Sequence, residues 1–214
     1  MVPVTSDPIY IYLHGFASSP QSAKAKYLCD RIPNLIVPDL NQEDFFDLTL
    51  SRQIHQVRSL FPASGESIVL IGSSFGGLTA AWLAQHPQVV KAILLAPAFQ
   101  FLHCLLRKLG NEQMHRWEVE GQISVYHYGH KGTLPLSYKF IRDLQQYRQE
   151  QLGRLLPTLI LHGSRDEVIP LEMSQTYASI RPWVRLVTLD SDHGLADAMP
   201  TIWQAIQEFC PELL

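Results

Sequence analysis

The run Ser67-Ile68-Val69-Leu70-Ile71 passes directly into Gly72-Ser73-Ser74-Phe75-Gly76-Gly77 and then into the Ala-rich stretch Leu78 to His86. Few folds accept that order. An unbroken apolar run of this length predicts a strand buried on both faces. A turn crowded with glycine leaves little room for side chains. Ala and Leu then favour a helix, which must end before Pro87. A strand covered on both faces needs helices above and below it, the arrangement of a parallel sheet in an α/β protein.

The rest of the chain repeats the unit. Pro8 to Leu13, Leu35 to Pro38, Ala92 to Leu95, Thr158 to Leu161 and Val184 to Leu189 read as further strands, making about six in all. Ser19 as N-cap with Pro20 at the first helical position predicts a helix to about Arg31. Helical spacing marks Leu48 to Phe61, Leu171 to Ile180 and Ala196 to Phe209. The rhythm breaks between Pro97 and Pro157. There, Phe99 to Leu109 reads as a helix closed by Gly110, residues around Gly121 as a hairpin, and Ser137 to Gln151 as a second helix. The reading is one domain over residues 1–214, a mostly parallel sheet with helices on both faces and a cap inserted at about 98–156.

Composition narrows the function. Hydrophobic residues make up 46% and charged residues 17%, as in an ordinary folded domain. A net charge of −3 lacks the basic excess of a nucleic-acid binder. Met1 to Pro8 carries no secretory pattern, and Ala92 to Phe99 is too short to span a bilayer. Cys29, Cys104 and Cys210 are odd in number and far apart, which argues against a zinc site or a disulfide framework. The expectation is a cytoplasmic enzyme of undetermined oligomeric state.

Chemistry concentrates just past the strand ends. Gly72-Ser73-Ser74-Phe75-Gly76 is G-x-S-x-G between a strand and a helix, the context of a nucleophile elbow. Side chains two before and two after the serine would clash in so tight a turn, and a helix N-terminus there favours developing negative charge. Asp166, in Ser164-Arg165-Asp166-Glu167-Val168-Ile169-Pro170, follows the strand at Thr158 to Leu161, and His193, in Asp192-His193-Gly194, follows the last strand. A nucleophile needs a base to take its proton, and the base needs an acid to fix its tautomer. The chain order Ser, Asp, His suits this topology. Glu167, Asp190 and Asp192 compete for the acid's role. An oxyanion hole needs two N–H donors; the candidates are the amides of Phe75 and of Phe16, in His14-Gly15-Phe16-Ala17. His14 reads as a residue that orders this loop rather than as a base.

The pieces HGF, GSSFGG, GSRDEVIP and DHG resemble the α/β-hydrolase superfamily along nearly the whole chain. The opening Ile11 to Pro20, followed by Ser22-Ala23-Lys24-Ala25, is similar to the small bacterial YqiA-type esterases. That resemblance implies the α/β-hydrolase fold, carboxylesterase activity on simple acyl esters, and a triad of Ser74, Asp166 and His193. It needs no metal and no organic cofactor. A thioesterase or another acyl-transfer enzyme on the same scaffold is the alternative, as is a non-catalytic binding module.

The inserted segment adds a hint about substrate. Gln100 to Arg154 holds eight Lys or Arg against five acids. A positive lid would favour an anionic ester or thioester, although a solvated basic surface accounts for the same residues. Phe99, Phe101, Trp117, Tyr126 and Tyr128 are candidates for an acyl pocket, or for the core of the cap. His127 and His130 form a conceivable metal pair without a third ligand.

Overall fold

A computed structural model describes residues 7–214; the residues before Asp7, where no secretory pattern was read, lie outside the described part. The sheet contains β1 (Ile9–Leu13), β2 (Ile68–Ser73), β3 (Val89–Leu95), β6 (Thr158–Gly163) and β7 (Val184–Leu189). Its order is β1-β2-β3-β6-β7 and every pairing is parallel. The helices between these strands are α1 (Ala23–Cys29), α2 (Leu50–Arg58), α3 (Phe75–Leu83) and α6 (Leu171–Ser179), and α7 (Met199–Phe209) follows the last strand.

Alternate residues of each strand feed opposite cores. Tyr10, Tyr12, Val69, Ile71, Ile93, Leu95, Leu159 and Leu161 pack against α1 and α7 through Ala25, Leu28, Ile202 and Ile206. Ile11, Leu13, Ile68, Leu70, Ala92, Leu94 and Ile160 pack against α2 and α3, with Tyr177 of α6. Burying one such aliphatic side chain is worth about 1.5–3 kcal/mol, so both rows must be apolar and the inner strands read as solid runs. The edge strand β7 differs: Arg185 and Thr188 are exposed, and Leu189 alone is fully buried.

Between β3 and β6 the chain forms α4 (Phe101–Glu120), an antiparallel pair of β4 (Gln122–His127) and β5 (Gly132–Ser137), and α5 (Lys139–Leu144). The segment is tied to the body by backbone bonds from Tyr128 N–H to Ala17 O (2.8 Å) and from Ser137 N–H to Phe46 O (2.9 Å). Asp143 accepts from Ser51 N–H at 2.9 Å. No helix among the described residues is long and apolar enough to cross a membrane.

The expected fold class holds, with four local corrections. The strand at Leu35 to Pro38 shrinks to one bridge between Ile36 and Ile11, so the sheet has five strands; Pro38 has no N–H with which to continue a ladder. The first helix is capped by Ser22, whose hydroxyl accepts Ala25 N–H, rather than by Ser19, whose carbonyl accepts Ser22 N–H at 3.1 Å in the turn before it. Gly110, at φ 75°, ψ 166°, breaks α4 into two helices, so the helix expected over Phe99 to Leu109 does close there, whereas the one expected over Ser137 to Gln151 shrinks to Lys139–Leu144. Gly121, in left-handed conformation, ends α4 rather than turning the hairpin, so Trp117 and Val119 are helical and the hairpin turn falls at residues 128–131.

Candidate active site

The strand–turn–helix that carries Ser74 is locked by two backbone approaches. A Cβ on Gly72 would land on the Gly76 carbonyl, and one on Gly76 would land on the carbonyls of Leu13 and His14. Neither contact has room for a methyl group, which is why glycine stands at both positions. Ser74 itself adopts φ 54°, ψ −118°, a strained conformation that costs a non-glycine residue on the order of 1–3 kcal/mol. It stands at the N-cap of α3, yet its hydroxyl makes no cap bond. Serine at that position usually caps its own helix; here the turn aims Oγ away, toward His193.

His193 and Asp166 come together because two loops meet backbone to backbone. A Cβ on Gly163 would strike the carbonyls of Ser191 and Asp192. Ser164 N–H donates to Leu189 O at 2.7 Å and Arg165 N–H to Ser191 O at 3.0 Å. His193 Nε2 then lies 3.0 Å from Ser74 Oγ, and its Nδ1 lies 2.7 Å from Asp166 Oδ2. The Asp166 side chain is fully buried, while that of His193 keeps 22% exposure. The other carboxylate oxygen accepts the N–H groups of Val168 (2.9 Å) and Ile169 (2.8 Å). The competing acids are otherwise engaged or remote: Glu167 is exposed, Asp190 pairs with Arg165 at 3.2 Å, and Asp192 caps Gly194 N–H and Leu195 N–H in its own loop.

Burial alone would raise the Asp166 carboxyl. Hydrogen bonds from His162 and His193, with the His193 charge, outweigh it and hold the group well below the usual carboxylate range. Two further side chains steady this end of the molecule. Lys24 Nζ donates to Gly194 O at 2.6 Å, beside His193. His162, fully buried, reaches Asp166 Oδ2 at 3.1 Å. Neither was singled out from the sequence. The signal for His162 in the sequence is its place four residues before Asp166, at the end of an apolar strand.

His14 orders the loop after β1, as expected. Its buried Nε2 accepts Leu40 N–H at 3.1 Å and Nδ1 lies 3.0 Å from Gly15 O. Gly15 brings that loop against Ser74, since a Cβ there would sit 3.4 Å from the serine Cβ. Phe75 opens α3, so its N–H belongs to the first-turn donors that have no intrahelical acceptor. The Phe16 N–H likewise has no acceptor among the described residues. The two rings pack edge to face at 6.1 Å.

A cavity of about 340 Å³ opens on Ser74 and His193. Its walls are largely carbon, from Phe101, Leu105, Leu109, Trp117, Val125 and Ile169, with the Cys104 thiol among them. Of the aromatic candidates, Phe101, Trp117 and Tyr128 line it. Phe99 is instead buried against Tyr177, with centroids 4.0 Å apart, and Tyr126 is exposed. The basic lid disperses: Lys108 alone of the eight lines the cavity, Arg154 holds the carbonyls of Ala84, His86 and Val89, and Lys139 pairs with Asp47. His127 accepts His130 N–H on Nδ1 at 3.0 Å and packs on Phe45, and no group of three potential ligands forms among the described residues. A larger groove of about 540 Å³ shares Phe101 with the first but is lined by neither Ser74 nor His193.

A family model described as "Uncharacterised protein family (UPF0227)" matches residues 9–210. The chain belongs to UPF0227. Among solved structures, this UPF0227 protein is similar to Est1E from Butyrivibrio proteoclasticus, at TM-score 0.78 and 20% identity over 98% of this chain and 89% of that one. It is also similar to alpha/beta hydrolase domain-containing protein 10 from mouse, at TM-score 0.73 and 22% identity over 98% and 92% of the two chains. These likenesses establish an α/β-hydrolase fold. A curated relative, the mitochondrial palmitoyl-protein thioesterase ABHD10 of Mus musculus, is 27% identical over 129 residues. That match spans 58% of this chain and 42% of the relative's length.

Proposed function

We propose that this UPF0227 member is a serine hydrolase that cleaves acyl esters through an acyl-enzyme on Ser74. The observation that carries the proposal is the unbroken hydrogen-bonded line from Ser74 Oγ through His193 to the buried Asp166 carboxylate. His193 Nε2 takes the hydroxyl proton as Oγ attacks the acyl carbonyl carbon. Asp166 holds Nδ1–H and stabilises the imidazolium. The carbonyl electrons move to an oxyanion facing the amides of Phe16 and Phe75. The intermediate collapses, His193 gives its proton to the departing alcohol, and water activated by the same imidazole releases the acid.

Residues 98–156 act as the cap of a single domain and provide most of the acyl-side wall. The cavity's carbon lining suits an apolar acyl group and gives little support to an anionic one. Three free thiols, Cys29, Cys104 and Cys210, suit a reducing compartment such as the cytoplasm. A second reading, thioester cleavage, is favoured by the thioesterase relative. Steady-state kinetics on an oxygen ester and a thioester of the same acyl chain tests both. Turnover of either that vanishes in Ser74→Ala supports the mechanism, and the ratio of kcat/KM values assigns the leaving group. Turnover retained by Ser74→Ala would remove the nucleophile.

A further inference from the structure

Asp166 Oδ2 carries two imidazoles. One is His193 at 2.7 Å; the other is His162, the residue that ends the apolar part of β6, at 3.1 Å. His162 is fully buried and bonded at both nitrogens. Nε2 also lies 2.9 Å from Ile169 O, and Nδ1 lies 2.7 Å from Ser174 Oγ on α6. The partners fix the proton. Nε2 faces two oxygens that can only accept, a carbonyl and a carboxylate, so it must carry the hydrogen. In the neutral ring Nδ1 is then an acceptor, and the hydroxyl that can donate to it is that of Ser174. Ser174 is fully buried as well.

From this geometry we infer that the Ser74–His193–Asp166 chain has two further members, His162 and Ser174, and that His162 is the positioning residue that locks the Asp166 carboxylate toward His193. The inference rests on the proposed serine-hydrolase reading. The two backbone donors on Oδ1 fix one end of the carboxylate; rotation of the other end is stopped by His162. Ser174 acts one step further out, since it selects the ring tautomer able to donate. The arrangement parallels the outer partners that orient metal-bound histidines, whose loss costs activity about 10–100-fold.

The test uses three variants of the full chain, His162→Leu, His162→Gln and Ser174→Ala, each checked for folding by thermal unfolding. The readout is the rate of labelling by a fluorophosphonate probe between pH 5 and 9, together with kcat and KM on an activated ester. His162→Leu should lower kcat and the labelling rate by about 10–100-fold with KM unchanged. The loss should run across the whole pH range, because a carboxylate free to turn no longer holds the imidazole in line with Ser74. The other titratable groups that influence Asp166 are Lys24 and Cys104, and none of the variants touches either. His162→Gln restores a donor near the position of Nε2 and should stay within a few-fold of the wild type, a rescue that a merely structural role would not give. Ser174→Ala should fall between the two, and it carries the test if the leucine variant does not fold. Wild-type kcat and labelling rate in folded His162→Leu, or in Ser174→Ala when leucine fails, would overturn the inference. Failure of the underlying reading looks different: no label on the wild type, or a label that survives Ser74→Ala.

Discussion

Replacing Gly163 by alanine tests whether the contact between two loops sets the geometry of the site. The added Cβ would lie 2.6 Å from the Asp192 carbonyl oxygen and closer still to that of Ser191, where ordinary contact begins at 3.4 Å. Both obstacles are backbone, so no side chain can swing aside, and the loops must part by about 0.8 Å or more. Asp166 lies three residues beyond Gly163, and His193 lies one beyond Asp192, so the displacement falls on their 2.7 Å hydrogen bond. A misplacement of about 1 Å costs on the order of a hundredfold in rate. Overpacking of this kind costs about 1–3 kcal/mol of stability. The expected result for Gly163→Ala is a folded protein with a lower denaturation midpoint and kcat/KM on an activated ester reduced about a hundredfold. The paired assays are urea unfolding and steady-state kinetics. A variant that keeps kcat/KM within threefold of the wild type would refute the argument that the loops position the pair.

Other outcomes follow from the same geometry. Asp166→Asn should keep the fold and lower kcat by roughly ten-thousand-fold, read by steady-state kinetics, because the amide favours the wrong His193 tautomer. Asp166 also links stability to acid. Its carboxyl is held below the usual range in the folded protein, so its contribution is complete above the unfolded value of about 4 and is lost as pH falls toward the folded one. Unfolding free energy should therefore drop on acidification below about pH 4, and less steeply in Asp166→Asn, by urea titration across that range. His14→Ala leaves Leu40 N–H buried without its acceptor and should lower stability by about 1–3 kcal/mol in the same assay. Phe101 stands between the 340 Å³ cavity and the 540 Å³ groove. Phe101→Ala should raise kcat/KM for long acyl esters relative to short ones, measured on a chain-length series; an unchanged profile would place the acyl-length limit elsewhere.

The legible parts of the sequence were those where chemistry and geometry coincide. Ser74, Asp166 and His193 each follow the carboxyl end of a strand by a few residues, and a parallel sheet gathers such positions at one edge. The inner strands were readable because burial on both faces leaves no polar residue in Ile68 to Ile71 or Thr158 to Leu161 beyond the first threonine. The region between Pro97 and Pro157 was harder. Gly110 and Gly121 share φ 75°, yet the first interrupts a helical run that resumes and the second ends it, and the residues between them fit a helix or a hairpin equally well. Trp117 Nε1–H donates to Leu136 O at 3.1 Å, a contact across nineteen residues that no local pattern announces. The basic lid failed for a similar reason, since Arg154 and Lys139 are spent on partners distant in the chain. A histidine before glycine also ends β1, where His14 has a purely architectural part, so the same pair at the end of β6 does not by itself mark His162.

Intact-mass analysis after exposure to a fluorophosphonate probe puts the central claim to its most direct trial, with wild type and Ser74→Ala side by side. One adduct on the wild type and none on the variant is the predicted result. An unlabelled wild type, or an adduct that persists without Ser74, would contradict the account.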